Sequence, residues 1–443
     1  MRPETGLQRK IWDIALPAII SNISIPLLGL VDTAILGHLE HTRYLGAVAV
    51  GAAVLSFLYW GFSFLRMGTT GLVARAVGAG NREREKEVLL QSLILALVLA
   101  LLVMLTHRLW LTLGLGWMAA GPDLTPLAES YARIRIYSAP AVLMTYAVIG
   151  WFIGRQNMRW PLVIVVSTNL INVALDLLFV VVLDWKSDGA AYATVGAEYC
   201  GLAIAALVML RQQRFHLGPE QRARLLRWQR YRELLNSNRY LFIRTSCLLF
   251  SFAFFTSQSA SFGEDQLAAN TIILNLLLFA AYGLDGFAYA AEALSGSAAG
   301  AGRLDLFYSV VWACSAWSLL SAAALSGLFG WFGGELFSLF TSHQAVVALL
   351  LEYQPWLVAL PLIAAASYLL DGIFIGTART RYMMWTMVAS LLLVYLPAWY
   401  LLQPWGNHGL WAAFLLFNGA RGVSLGLCYW QVSRRHGWLD PAG

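Results

Sequence analysis

Long apolar runs separated by short polar segments follow one another along the whole chain. A helix needs about 20 mostly apolar residues to cross a bilayer, so each run predicts a membrane-spanning helix. The first run, after the polar residues 1–10, exceeds the apolar core of a signal peptide and lacks a small-residue cleavage site, so we expect a retained span. The pattern predicts twelve spans, near residues 11–36, 44–67, 87–109, 126–153, 160–183, 189–211, 232–258, 265–291, 304–330, 346–376, 381–402 and 408–432.

The second half of the chain repeats the first. Residues 76–80 (AVGAG) recur as 298–302 (AAGAG), and residues 152–154 (FIG) recur as 374–376 (FIG), both at a shift of 222 residues. Because that shift contains six predicted spans, an even number, the two halves have the same orientation. A parallel repeat of six plus six spans is typical of transporters that rock one half against the other. We predict two six-helix bundles, residues 1–210 and 239–443, joined by a linker over 211–238.

The low charge content excludes a large soluble domain. Charged residues make up 12% of the chain and hydrophobic residues 59%, whereas a globular domain carries roughly 25% charge. Lysine and arginine collect on one side of the predicted spans, and the positive-inside rule assigns that side, with both termini, to the cytoplasm. The same rule explains the basic linker, which we interpret as a cytoplasmic tether rather than a nucleic-acid patch.

Four polar side chains are predicted at similar height in the outer half of the membrane: Asp32 in span one, Asn172 and Asp176 in span five, and Thr194 in span six. Asp32 and Asp176 lie roughly 32 and 24 Å from the cytoplasmic end of their spans, at about 1.5 Å per residue. Asn169, Asn172 and Asp176 share one helical face. A charge in the bilayer costs at least ~2.5 kcal/mol, so an unpaired carboxylate there indicates a function.

Two carboxylates in one low-dielectric pocket favour protonation of one of them, which suits a proton carrier. The other interpretation is that these groups only hydrogen-bond spans one, five and six together, and for Asn172 and Thr194 the sequence leaves both open. No basic residue of the first half is an evident partner, Arg66 being the nearest candidate. Pro17 and Pro26 are predicted to bend the span that carries Asp32.

Charges of both signs lie inside the predicted spans of the second half. Arg244 with Asp285 or Asp371 predicts either a buried ion pair or a substrate site, and Arg421 is a further cation. The four cysteines show no CxxC pairing and the seven histidines fall at span ends or in loops. We therefore expect no metal and no cofactor, and no catalytic motif indicates an enzyme.

Four blocks of sequence resemble the multidrug and toxic compound extrusion (MATE) transporters, specifically the DinF subfamily of proteobacteria. They are residues 26–34 (PLLGLVDTA), 65–72 (LRMGTTGL), 284–293 (LDGFAYAAEA) and 368–376 (YLLDGIFIG). The resemblance implies an all-α fold of two six-helix bundles in a V. It also implies export of organic cations or amphipathic compounds in exchange for H+ or Na+.

In DinF-like members the N-terminal bundle holds an aspartate on span one, an Asn-x-x-x-Asp pair on span five and a threonine on span six. These positions fall on Asp32, on Asn172 and Asp176, and on Thr194. This sequence departs from the NorM-like branch because Arg244 stands where that branch has an acidic residue on span seven. We therefore expect protons rather than Na+ as the coupling ion.

The resemblance also implies a monomer in the bacterial inner membrane. Two other functions stay open. A lipid-linked oligosaccharide flippase of the same superfamily would line its cavity with several cationic residues, to which Arg244 and Arg421 could contribute. A membrane scaffold would show no pH-coupled flux.

Overall fold

The computed structural model describes residues 4–39, 41–118, 121, 123–212, 225, 227–435 and 437–439, and for residues 4, 5, 42 and 230 it describes the backbone alone. Within these ranges every regular element is a helix, and twelve helical segments are long and apolar enough to cross a membrane. The predicted number of spans and the all-helical fold class are therefore confirmed. Residues 213–224 and 226 of the predicted linker lie outside the described residues.

The first half contributes six of these segments. Its helices are α1 (Glu4–Gly37), α2 (Thr42–Gly61), α3 (Phe64–Gly78), α4 (Arg82–Leu105), α5 (His107–Met118), α6 (Thr125–Arg135), α7 (Ala139–Gly154), α8 (Arg159–Asp176) and α9 (Lys186–Gln212). Helices α2 and α3 form one span, and α6 and α7 form another through a 3₁₀ turn at Ile136–Ser138. A π-helical segment, Leu177–Val182, continues α8.

The second half contributes the other six. Its helices are α10 (Arg232–Ala260), α11 (Glu264–Gly300), α12 (Leu304–Trp331), α13 (Gly333–Phe340), α14 (Gln344–Gly376), α15 (Thr380–Ala389), α16 (Leu396–Leu402) and α17 (Asn407–Arg434). A π-helical segment, Ser390–Tyr395, joins α15 to α16. Helix α11 runs beyond its predicted end near residue 291. The turns after that residue consist mostly of small residues, which are buried because other helices pack closely against them and not because their side chains are long and apolar.

The described chain forms two compact units. The N-terminal unit consists of Ile20–Thr69 and Arg82–Leu235, and the C-terminal unit of Met1–Ile19, Thr70–Asn81 and Asn236–Gly443. The start of α1 belongs to the C-terminal unit because Trp12 packs edge-on against Phe287, with ring centroids 5.4 Å apart. The compact units thus differ from the predicted division at 210 and 239, which follows the sequence repeat and remains a prediction about that repeat.

The repeat is also visible in helix packing. A Cβ atom on Gly150 would lie 2.4 Å from the Arg66 carbonyl oxygen in the N-terminal unit. A Cβ atom on Gly372 would lie 2.4 Å from the Ala288 carbonyl oxygen in the C-terminal unit. Both residues of the second pair are 222 positions after those of the first, so equivalent helices approach at equivalent glycines.

Inside the C-terminal unit, the end of α3 crosses the end of α11 at two further glycines. A Cβ atom on Gly78 would lie 1.9 Å from the Ser297 carbonyl oxygen, and one on Gly300 would lie 2.1 Å from the Arg75 carbonyl oxygen. Since Ser297 and Gly300 are the repeat equivalents of Arg75 and Gly78, each helix presents the same surface to the other. Only residues without a side chain permit this approach.

An aromatic core fixes the outer part of the C-terminal unit. Phe255 packs edge-on against Trp411, with ring centroids 4.6 Å apart, and against Phe414 at 5.2 Å. Beside these rings the buried Asn270 and Asn407 side chains exchange two hydrogen bonds of 2.7 and 2.9 Å. Helices α10, α11 and α17 are thereby held in register.

Candidate functional site

One face of α8 carries three polar side chains that reach its neighbours in the N-terminal unit. Asn169 donates from Nδ2 to the carbonyl oxygen of Ser24 at 3.2 Å and to its Oγ at 3.1 Å, which ties α8 to α1. The bonded residue stands just before Pro26. Helix α1 continues through both Pro17 and Pro26.

The second contact of this face joins α8 to α9. Asn172 donates from Nδ2 to Thr194 Oγ1 at 3.3 Å, and that hydroxyl donates to the Ala190 carbonyl oxygen at 2.9 Å. Asn172 is buried, and its Oδ1 has no hydrogen-bond partner among the described residues.

The third contact brings the two predicted carboxyl groups together. Asp176 on α8 and Asp32 on α1 lie close enough for their side chains to interact electrostatically. Asp176 is 2% exposed, and both of its carboxyl oxygens, like Oδ1 of Asp32, find no donor within the described parts of the chain. Two ionised carboxylates are acceptors only, so a bond between them requires a proton on one of them.

The end of α8 explains how Asp176 is aimed. The π-helical segment Leu177–Val182 begins directly after it. A π-helix widens the turn and occurs frequently at functional sites. The local sequence, a run of aliphatic residues, carries no signal for this change of winding.

Arg135 is a cation of this site that the sequence did not reveal. It is 9% exposed at the end of α6, and its guanidinium interacts electrostatically with Asp32, Asp176 and Glu198. The sequence offered Arg66 as the nearest basic candidate and did not single out Arg135, because counting along the span placed Arg135 near the outer end.

Arg135 is nevertheless not bonded to either aspartate. Its Nε and Nη1 atoms have no hydrogen-bond partner in the described structure, and no ion pair within 4.0 Å joins it to Asp32 or Asp176. Tyr59 holds the backbone at this point, since its hydroxyl donates to the Arg135 carbonyl oxygen at 3.1 Å. The positive charge is thus close to the pair without neutralising it through a direct contact.

Tyr131 is a second residue that sequence reasoning did not assign to the site. It lies one turn before Arg135 on α6, is 4% exposed, and interacts electrostatically with Arg135, Asp32 and Asp176. In the sequence it matches Tyr353 at the repeat shift of 222 residues, which does not indicate a role. Its spacing of four residues from Arg135 was the available signal, because that spacing puts both side chains on one helix face.

The charged residues predicted in the second half form a separate network in the C-terminal unit. Oδ2 of Asp371 accepts from Nη2 of Arg244 at 2.5 Å and from Nη2 of Arg421 at 2.9 Å. Arg421 also donates from Nη1 to Asn418 Oδ1 at 3.2 Å. Asp285 lies close enough to Tyr368 to interact with it electrostatically. Of the two partners considered for Arg244, the structure shows this contact with Asp371.

No metal centre accompanies either network. Among the described residues, no group of three or more His, Cys, Asp or Glu side chains is arranged to hold a metal ion.

Comparison with known proteins gives the same family for both halves of the chain. The MatE family model matches residues 17–178 and 241–401. DNA damage-inducible protein F of Escherichia coli K12 is 39% identical over 437 residues, covering 98% of this chain and 95% of that protein. Protein DETOXIFICATION 44, chloroplastic, of Arabidopsis thaliana is 28% identical over 461 residues, covering 99% of this chain and 86% of that protein.

The fold is shared with solved structures of low sequence identity. A MOP superfamily transporter from Pyrococcus furiosus superposes with a TM-score of 0.88 at 18% identity, and the match covers 98% of this chain and 96% of that one.

Proposed function

Because this chain belongs to the MatE family of multidrug and toxic compound extrusion transporters, we propose that it exports cationic or amphipathic compounds in exchange for protons. The exchange site is the carboxyl pair Asp32 and Asp176, with Asn172 and Thr194 beside it. The substrate and the proton occupy the site alternately as the cavity opens to one side of the membrane and then to the other.

One observation carries the proposal: buried acceptor oxygens of Asp32, Asn172 and Asp176 have no hydrogen-bond donor among the residues that the structure describes. Buried acceptors without donors are costly, so the site favours an incoming proton or cation. A shared proton satisfies both carboxyl groups with one hydrogen bond. A cationic substrate satisfies them by charge.

The cycle follows from that competition. Facing outward, the pair takes up a proton, which cancels negative charge and weakens the hold on a cationic substrate. Facing the cytoplasm, the pair releases the proton and binds the next substrate molecule. A ligand shifts the equilibrium between the outward-facing and inward-facing states only by the difference in its affinity for the two. The proton and the substrate must therefore not be bound to the site at the same time.

Helix α1 is the element proposed to move. Pro17 and Pro26 have no N–H, so the carbonyl groups four residues earlier lose their helical partners and the helix bends at low cost. The Asn169 contact at Ser24 lies next to the second proline and connects such a bend to α8. Protonation of Asp32 would remove the charge from the part of α1 that follows Pro26.

The ion pairs in the second half of the chain favour protons over Na+ as the coupling ion. Asp371 is already engaged by Arg244 and Arg421, so this carboxylate is a poor ligand for a sodium ion. A Na+-coupled exporter is the alternative function, and the following experiment distinguishes it from a proton-coupled exporter.

Transport in proteoliposomes with imposed gradients tests the function. We expect ethidium to move against its gradient when a proton gradient alone is imposed and to stay when a sodium gradient alone is imposed. Asp32→Asn should fold but lose proton-driven transport, falling at least about tenfold, since it cannot carry the proton. Asp123→Asn, at an exposed position, is the matched control. Undiminished transport by Asp32→Asn would contradict the proposal.

We propose the membrane in which the transporter resides and the orientation of its termini on two grounds. The bacterial relative and the basic asymmetry of the loops favour the inner membrane with both termini in the cytoplasm. We propose a monomer, since one chain carries the carboxyl pair.

A lipid-linked oligosaccharide flippase is less well supported. It needs several cations in the cavity wall, whereas Arg244 is not among the residues that line the pocket described below.

A further inference from the structure

A pocket lies between four helices of the C-terminal unit, separate from the carboxyl pair. Its enclosed volume is about 50 Å³, and it continues into an open mouth. Most of its wall is aliphatic or aromatic and comes from α10, α11, α14 and α17. Representative wall residues are Phe252, Leu277, Leu284, Pro361 and Phe414.

The polar part of the wall comes from three side chains, one of which is a cation. Arg421, Asn418 and Tyr368 are the polar residues that line the pocket, and no Asp or Glu is among its described lining residues. Arg421 is 3% exposed, and its Nε has no hydrogen-bond partner within the described chain. A buried guanidinium that lines a pocket and keeps an unpaired donor is a favourable site for an acid group.

Behind this wall two guanidinium groups contact the same carboxylate oxygen. Asp371 gives one oxygen, Oδ2, to both Arg421 and Arg244, so two cations share one carboxylate. Nε of Arg244 is also buried without a partner. Asp285 and Tyr368 are the other titratable groups nearby, and Asp285 lies outside the wall.

We propose that this pocket binds the acid group of an amphipathic compound, a carboxylate, sulfonate or phosphate, at Arg421 and holds the apolar body against the aliphatic and aromatic wall. The proposal deepens the proposed function, on which it rests for the assumption that the ligand is exported. It adds amphipathic anions and zwitterions to the substrates. The same chemistry occurs in free compounds and in anionic lipids.

Two probes with one ring system and opposite charge test the pocket. Dansylglycine and dansylaminoethyltrimethylammonium are titrated against the purified protein in phosphatidylcholine nanodiscs, with empty nanodiscs as the blank, and the dansyl emission is measured. We expect dansylglycine to bind at least about tenfold more tightly, the effect of one charge-assisted hydrogen bond. Equal affinities, or tighter binding of the cation, would overturn the proposal.

Two variants locate the bound anion. Arg421→Gln should weaken dansylglycine about tenfold or more and leave the cation nearly unchanged. Ala364→Leu, which fills the wall without touching the charge, should weaken both probes. Thermal unfolding checks that each variant is folded. Arg421→Lys keeps the positive charge but loses the planar, forked guanidinium, so its affinity for dansylglycine should lie between that of Arg421→Gln and that of the unmodified protein. Dansylglycine binding unaffected by Arg421→Gln would refute the assignment.

A lipid arm identifies the source of the anion. If phosphatidylglycerol added to the nanodiscs competes with dansylglycine, the pocket takes an anionic lipid, and if it does not, the pocket takes free compounds. Either result supports the shared chemistry. No gradient is imposed in these measurements, so a failure of proton coupling would leave them unaffected.

Discussion

Asp32 and Asp176 differ from Asp371 and Glu85 in what surrounds them. Asp371 has two arginines in direct contact, and Glu85 is bonded to Arg155 at 3.0 Å. The Asp32–Asp176 pair has a cation only at a distance, because Arg135 makes no direct bond to it. A positive charge that lies near the carboxyl pair without contacting it allows the pair to accept and release a proton, because the pair is not permanently neutralised.

Arg135 should therefore matter for transport through its charge. We expect Arg135→Gln to reduce proton-driven ethidium transport at least about tenfold, since two or three buried acids lose their nearby cation, and Arg135→Lys to retain much of it. Arg133→Gln is the control, because Arg133 is exposed and pairs only with the exposed Glu129 on the same helix. Equal loss in the Gln and Lys variants would mean that Arg135 acts by shape alone.

At this scale the sequence could predict the acids but not their cation. Counting residues along the spans placed Asp32, Asp176 and Thr194 at similar height, and helical spacing placed Asn172 on the same face as Asp176. Arg135 could not be found in that way, since its direction depends on the 3₁₀ turn that follows it and on packing of α6 against α9. Tertiary contacts determine the direction of such a side chain, and no local sequence pattern encodes those contacts.

Among the elements, α8 connects the site to its neighbours. Its three polar side chains contact α1, α9 and again α1, so a change in one helix is felt by the other two. Helical periodicity predicted that face. The π-helical segment after Asp176 was not predicted, because its aliphatic sequence is equally compatible with an ordinary α-helix.

The crossing of α3 and α11 should tolerate no side chain at its glycines. Gly78→Ala places a Cβ atom 1.9 Å from the Ser297 carbonyl oxygen, and relieving that overlap should cost about 1–3 kcal/mol or more. We expect a clear drop in the thermal unfolding midpoint in detergent. Gly327→Ala, a helical position with nothing within 4 Å, should be neutral or stabilising by up to about 1 kcal/mol. Equal midpoints for the two variants would show that the crossing does not constrain the fold.

For the whole molecule, the sequence predicted twelve spans and a repeat at 222 residues, and both appear in the structure. Hydrophobic length determines the first, and duplicated motifs reveal the second. The assignment of residues 1–19 and 70–81 to the C-terminal unit could not be predicted, because it depends on which surfaces meet after folding. The repeat predicts equivalent helices, whereas the division into compact units follows contacts such as Trp12 with Phe287.

Proton exchange by the carboxyl pair can be measured without transport, by adding ethidium to purified protein in unbuffered detergent solution that contains a pH indicator. We predict release of about one proton per protein molecule, because the substrate displaces the proton shared by the pair. Sodium chloride, compared with choline chloride, should release none. Asp123→Asn should behave like the unmodified protein and Asp32→Asn should release none. No proton release, or equal release by Asp32→Asn, would contradict exchange at this site.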